Sequence, residues 1–131
     1  MRQLGVQIDT SGDIPAGEVF EWLKRSRVLL VTSQSEGLGR MAVEALACCV
    51  PVVINPVGGL TEIVLDGKSG YWAEFDNPTS FATLANHLLG NDLLRRKFGQ
   101  QGRLHVKRFF SMDAVTDQYE ALYQRVIGFR G

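Results

Sequence analysis

Two apolar runs separated by a polar, glycine-bearing stretch dominate the hydrophobic pattern of this chain. The first runs from Val28 to Thr32 and has the length of a buried strand. The stretch after it predicts a tight loop over Ser33–Leu38 and, from its apolar spacing, a helix over Gly39–Ala47. Val50–Ile54 is the second run and the next predicted strand. Strand, loop, helix and strand together predict a βαβ crossover at the centre of the fold.

The same reading gives further elements on both sides of this unit. Strands that alternate with helices at such spacing are typical of an α/β fold, here a Rossmann-like parallel sheet of about four strands flanked by helices. The other predicted strands are Leu4–Ile8 and Gly70–Ala73. Five other helices are predicted. One begins at Pro15 and ends at Ser26 and Arg27, and the next three cover Leu60–Leu65, Asn77–Gly90 and Asp92 to about Phe110. The last begins after a Ser111 cap and runs through Ile127.

The loop of the central unit carries groups suited to a phosphorylated sugar ligand. Gly37 and Gly39 leave backbone N–H groups accessible at a helix start, where phosphate binds well. Glu36 and Glu44 flank that point with seven residues between them. Since a carboxylate repels phosphate, each must bind something else, and an ionised carboxylate is a natural acceptor for vicinal hydroxyls. A sugar, a diphosphate and a ribose in series would match this arrangement.

Four segments of the chain together resemble a known family. Ser33–Gly39, Glu44–Ala47, Pro51–Val53 and Gly58–Glu62 are similar to the donor half of the retaining family-4 (group 1) glycosyltransferases, and the Glu-x7-Glu spacing is their signature. The resemblance implies a GT-B fold and transfer of a hexose from a nucleoside-diphosphate sugar with retained anomeric configuration. It implies no cofactor and no metal.

The resemblance also implies a role for particular residues. Glu36 would bond hydroxyls of the donor hexose and orient it, and Glu44 would bond the ribose. The backbone N–H groups of Gly37, Leu38 and Gly39 would hold the diphosphate. Asp13 and Ile14 would lie near the base.

The matched region corresponds to only part of such an enzyme. Residues 1–131 are therefore predicted to form one partial donor-binding domain, without the acceptor domain and without the first donor-domain strands that carry the cations for the diphosphate. We expect such a chain to be inactive alone. The resemblance implies that two strands which separate Leu4–Ile8 from Val28–Thr32 in the family are missing here. Either Leu4–Ile8 then pairs with Val28–Thr32 within one molecule, or two molecules pair through the open sheet edge, and we predict self-association.

Composition limits the classes of partner and location. The 131 residues suit one domain, and 14 Lys and Arg balance 14 Asp and Glu, so no global field favours nucleic acid. No apolar run approaches the roughly 20 residues of a spanning helix, so no transmembrane segment is predicted. We therefore expect a cytoplasmic protein.

Two other functions fit parts of the pattern. Gly37-x-Gly39-x-x-Ala42 after a strand satisfies the dinucleotide fingerprint of nicotinamide and flavin oxidoreductases. That fingerprint also needs an acidic residue about 20 positions further on, where this chain offers Asn55. The third interpretation is a noncatalytic, self-associating module that keeps the donor-type fold for assembly.

The adjacent cysteines raise one question about the backbone. Cys48 and Cys49 cannot link distant segments, so we expect reduced, partly buried thiols. In the family that this chain resembles, glycine usually stands at the position of Cys49. If the backbone there has a positive φ, cysteine carries a strain of about 1 kcal/mol.

Overall fold

A computed structural model of the protein describes residues 7–128, in which helices alternate with strands as far as the third strand. The three strands are β1 (Leu29–Val31), β2 (Val52–Ile54) and β3 (Gly70–Trp72). The six helices of the described residues are α1 (Ala16–Arg25), α2 (Arg40–Ala47), α3 (Leu60–Ile63), α4 (Pro78–Leu89), α5 (Asp92–Phe110) and α6 (Met112–Gly128). The α/β class is therefore confirmed.

All strand pairing in the described sheet is parallel, in the order β1-β2-β3. Leu29 pairs with Val52, and Val52 in turn pairs with Gly70. Because parallel strands end on the same side, the loops that follow β1, β2 and β3 share one rim of the sheet. Ligands bind at this rim in open α/β sheets.

The strand count differs from the prediction. Of the expected strand Leu4–Ile8, residues 4–6 lie outside the described residues, and Gln7 and Ile8 are in no strand. The described sheet therefore has three strands instead of four, and β1 is one of its edges. Self-association through that edge stays a prediction.

The central strand separates two apolar clusters, one on each face of the sheet. Val52 and Ile54 belong to the cluster with Ala42 and Leu46 of α2, whereas Val53 belongs to the other cluster. This division follows from the alternation of side chains along a strand. The second cluster is built with α4 and α5, through Phe81, Leu88 and Phe98. Because the buried face of α2 is packed in this core, the loop that precedes α2 ends at a fixed point.

Helix boundaries agree with the predictions to within two residues. Asn77 caps α4, since its side chain accepts from the N–H groups of Thr79 and Ser80 at 3.0 and 3.1 Å. The predicted helix Leu60–Leu65 ends earlier, because Val64 is already extended (φ −98°, ψ 112°). No helix within residues 7–128 is both long and apolar enough to cross a membrane.

The backbone at Cys49 is in the left-handed region, with φ 59°, as the family's glycine suggested. Both cysteines are free and half-buried, and burial raises the pKa of the Cys48 thiol. The Cβ atom of Cys49 is strained in this conformation, whereas glycine would not be.

We therefore expect Cys49→Gly to raise the free energy of unfolding by up to about 1 kcal/mol. Equilibrium urea unfolding measures this, with Cys48→Gly as the control, because Cys48 has an ordinary φ of −86°. The control should lose stability, since glycine there gains no relief from strain. A loss of equal size in both variants would contradict the strain argument.

Candidate functional site

Residues 33–39 leave the carboxyl end of β1 and lead into α2 at the ligand-binding rim of the sheet. In this 33–39 loop the Glu36 side chain is half-buried, Gly37 and Leu38 are exposed, and Gly39 is buried. The structure thus brings together four of the predicted site residues in one surface loop.

The 33–39 loop packs directly on the turn that follows β2. The N–H of Gly59 donates to the carbonyl oxygen of Gly37 at 2.8 Å. A Cβ atom at Gly58 would collide with the carbonyl oxygen of Glu36, and Gly58 also has a positive φ of 52°. Only glycine fits this contact. The Gly58–Gly59 turn therefore supports the conformation of the loop that contains Gly37 and Gly39.

Several backbone N–H groups at the start of α2 are free of protein partners within the described residues. Gly39 precedes the helix with φ 84° and provides no side-chain cap, and its carbonyl accepts from Ala42 and Val43. For the N–H groups of residues 37–41, residues 7–128 supply no acceptor. The first turn of α2 contains no acidic residue. This is the positive end of a helix with N–H donors that no described residue pairs with, which suits an anion.

The second carboxylate lies inside the same helix. Glu44 is four residues from the first helical residue, Arg40, or about 6 Å along the axis. Its side chain is 22% exposed, and its Oε1 lies 3.3 Å from Nε of Arg40. Glu36 lies before the helix start and Glu44 follows it, so the two carboxylates flank the exposed N–H groups along the chain.

Asn55 holds the candidate loop in place, a structural role that the sequence did not reveal. It is only 2% exposed, and its side-chain amide donates to the carbonyl oxygens of Thr32 and Ser33 at 3.0 and 3.1 Å. Its Oδ1 accepts from the N–H of Asp76 at 3.3 Å. Asn55 therefore ties the beginning of the 33–39 loop to the loop after β3. The sequence signal for it was a polar residue directly after the predicted strand Val50–Ile54.

The predicted base-proximal residues lie just before α1. Asp13 is exposed and Ile14 is half-buried. The structure records no hydrogen bond from either residue to the 33–39 loop within the described chain. Their place near a base stays a prediction.

An open groove of about 1050 Å³ adjoins the loop and α2, and α6 forms its opposite wall. Its lining includes Phe20, Leu38, Arg40, Glu44, Tyr119 and Leu122. The groove was not predicted, because it depends on how α6 returns toward α2. It gives an extended ligand space to lie along the Arg40 and Glu44 side of the helix.

No metal centre is formed by the described residues, since they include no group of three or more His, Cys, Asp or Glu side chains arranged to hold an ion. Metal independence stays a prediction.

Comparison with known proteins identifies the family. The family model described as glycosyl transferases group 1 matches residues 1–105. The chain belongs to the group 1 glycosyltransferases. An uncharacterized glycosyltransferase of Methanocaldococcus jannaschii is 41% identical over 92 residues, which are 70% of this chain and 26% of that protein. The N-acetyl-alpha-D-glucosaminyl L-malate synthase of Bacillus anthracis is 35% identical over 109 residues, which are 83% of this chain and 29% of that protein.

Solved structures of glycosyltransferases share the fold. Sucrose-phosphate synthase from Thermosynechococcus elongatus superposes with a TM-score of 0.82 at 27% identity, over 90% of this chain and 30% of that chain. A mutant of S. aureus TarM, in a complex that contains UDP, superposes with a TM-score of 0.75 at 27% identity, over 81% of this chain and 22% of that chain. This group 1 glycosyltransferase chain therefore has part of a GT-B architecture and spans about a quarter to a third of the curated relatives it matches.

Proposed function

We propose that this group 1 chain is the nucleotide-sugar donor-binding part of a retaining hexosyltransferase. The observation that carries the proposal is the exposed, uncapped start of α2, with Glu36 before it and Glu44 behind it. N–H donors suit a diphosphate, and acceptor-only carboxylates suit hydroxyls.

Each group has a separate task in this proposal. The N–H groups of Gly37, Leu38 and Gly39 hold the diphosphate. Glu44 accepts from the ribose hydroxyls, beside the ion pair in which its Oε1 lies 3.3 Å from Nε of Arg40. Glu36 accepts from the hexose and orients it for reaction. The UDP in the S. aureus TarM complex supports a nucleoside diphosphate as the donor's leaving group.

The proposed reaction is metal-independent transfer with retained configuration to an acceptor that the chain does not identify. Its main electrostatic demand is stabilisation of the leaving diphosphate, which the N–H donors of α2 meet in part. The curated relatives are three to four times longer than the matched region. We therefore place the acceptor-binding domain and the other diphosphate cations outside residues 1–131, and we expect no useful transfer by this chain alone. A cytoplasmic location stays a prediction.

Substitution of each carboxylate, Glu36 and Glu44, should have a different effect on ligand binding. We expect Glu44→Ala to weaken UDP about tenfold or more, because a charge-assisted hydrogen bond contributes about 1.5–3 kcal/mol. Glu36→Ala should leave UDP binding unchanged and weaken only a UDP-sugar. Isothermal titration of both variants with UDP and UDP-glucose measures the difference.

Glu120→Ala is the matched control for this titration, since Glu120 is exposed on α6 and forms none of the ion pairs recorded for residues 7–128. It should bind both ligands like the parent chain. The assignment of roles fails if Glu36→Ala weakens UDP as much as Glu44→Ala does.

The alternative functions give different titrations. An oxidoreductase domain would bind NAD, but Asn55, at the position that should bind the ribose, is buried with its amide engaged by Thr32 and Ser33. The family match also favours glycosyl transfer over that alternative. A noncatalytic assembly module would bind none of UDP, GDP, ADP or NAD. Light scattering over a concentration series would then test association through the β1 edge.

A further inference from the structure

Arg40 occupies a helix position that electrostatics disfavours. It is the first residue of α2, where the helix dipole is positive, and the first turn contains no acid to offset it. Its partner Glu44 lies four residues later, so the pair has the orientation that stabilises a helix less. Helix stability therefore does not account for an arginine here.

The ion pair leaves binding capacity on both side chains. A guanidinium has five N–H donors, and in this pair Nε of Arg40 lies 3.3 Å from Oε1 of Glu44. The terminal nitrogens of Arg40 remain available, as its side chain is 82% exposed. Among residues 7–128, Glu44 forms an ion pair with Arg40 and with no other residue. The pair can therefore bind an anion and a hydroxyl at the same time.

The groove beside α2 places both groups along one path. Leu38, Arg40 and Glu44 all line it. Arg40 lies between the loop and Glu44 in the chain and is ion-paired with Glu44, so a ligand with phosphate at the loop and ribose at Glu44 would lie beside it. This gives the arginine a defined part of the ligand to meet.

We propose that Arg40 binds the ribose-proximal phosphate of the donor nucleotide, with Glu44 holding its guanidinium in place and binding the ribose through its other oxygen. The inference rests on the proposed donor-binding function. It assigns to this chain a cation for the diphosphate, beside the N–H groups of the 33–39 loop. Arginine suits the task because its planar fork matches phosphate oxygens.

The experiment compares UDP with uridine, which lacks the phosphates. Titrations followed by amide chemical shifts in ¹⁵N-labelled protein can measure both ligands, even when binding is weak. We expect Arg40→Gln to lower the affinity for UDP about tenfold and to change the affinity for uridine by less than twofold. Arg40→Lys should restore part of the UDP affinity, because it returns the charge without the fork. The salt dependence of UDP binding should also become shallower in Arg40→Gln.

Arg96→Gln is the matched control, since Arg96 is exposed on α5 and does not line the groove. It should bind UDP like the parent chain, and all three variants should keep the parent's thermal unfolding midpoint. Unchanged UDP affinity in Arg40→Gln would overturn the role of Arg40 and leave the proposed function standing. An equal loss for UDP and uridine would overturn it too, because the arginine would then act only through Glu44. A parent chain that binds no nucleotide would overturn the proposed function, and this inference with it.

Discussion

Gly58→Ala is expected to destabilise the fold by about 2–5 kcal/mol and to weaken UDP binding at least tenfold. The left-handed backbone at φ 52° would cost the alanine about 1–2 kcal/mol. Its Cβ would also collide with the carbonyl oxygen of Glu36, and overpacking of this kind typically costs about 1–3 kcal/mol. Because the obstacle is backbone, the 33–39 loop itself must move, and its N–H groups move with it.

Urea unfolding and UDP titration of the same variant measure the two effects. Gly67→Ala is the matched control, because Gly67 has φ 69° but a Cβ atom added there would meet no other atom within 4 Å. It should lose only about 1–2 kcal/mol and bind UDP normally. If the two alanine variants behave alike, the contact with Glu36 has no energetic importance, and the loop is held by other means.

The local elements were predictable because each depends on neighbours in the sequence. The helical spacing before Pro51 indicated α2, and the apolar runs indicated β1 and β2. The predicted N-terminus of the last helix at Ser111 also holds, since its Oγ accepts from the N–H of Ala114. The glycine and glutamate spacing identified the 33–39 loop, because a helix start has a fixed relation to the residues around it.

Contacts between successive βα loops were not predictable in the same way. In the sequence Gly58 is only part of a segment that resembles the family, and the packed structure shows that it meets the backbone of Glu36. In the sequence Asn55 was noted only because the dinucleotide fingerprint needs an acidic residue at that position. In the structure its side-chain amide donates hydrogen bonds to residues more than twenty positions earlier. The left-handed Asp76, with φ 55°, gave no sequence signal either. Such positions are fixed by tertiary contacts, which periodicity and turn preferences do not contain.

These contacts together hold the 33–39 loop, the proposed site, in one conformation. Asn55 fixes its beginning, the Gly58–Gly59 turn supports its middle, and the buried face of α2 anchors its end. A loop that is already ordered loses less conformational entropy when it binds a ligand. The site's affinity should therefore depend on residues that never touch the nucleotide.

Asn55→Leu tests this dependence most directly. The leucine has a similar volume but makes no hydrogen bond, so the carbonyls of Thr32 and Ser33 and the N–H of Asp76 all lose a partner. A buried polar group left unsatisfied costs about 1–3 kcal/mol, and partial opening of the loop would relieve some of that penalty. We expect a loss of about 3 kcal/mol in the free energy of unfolding, together with weaker UDP binding.

The same substitution at Asn86 provides the comparison for Asn55→Leu. Asn86 is exposed on α4, and none of the side-chain hydrogen bonds recorded for residues 7–128 involves it. Its change to leucine should alter stability by no more than about 0.5 kcal/mol, as surface substitutions usually do. Urea unfolding of both variants gives the stability difference, and UDP titration of folded protein shows whether the loop is displaced. If Asn55→Leu is destabilised but binds UDP with the parent's affinity, Asn55 serves the core alone, and the order of the 33–39 loop must come from the Gly58–Gly59 turn.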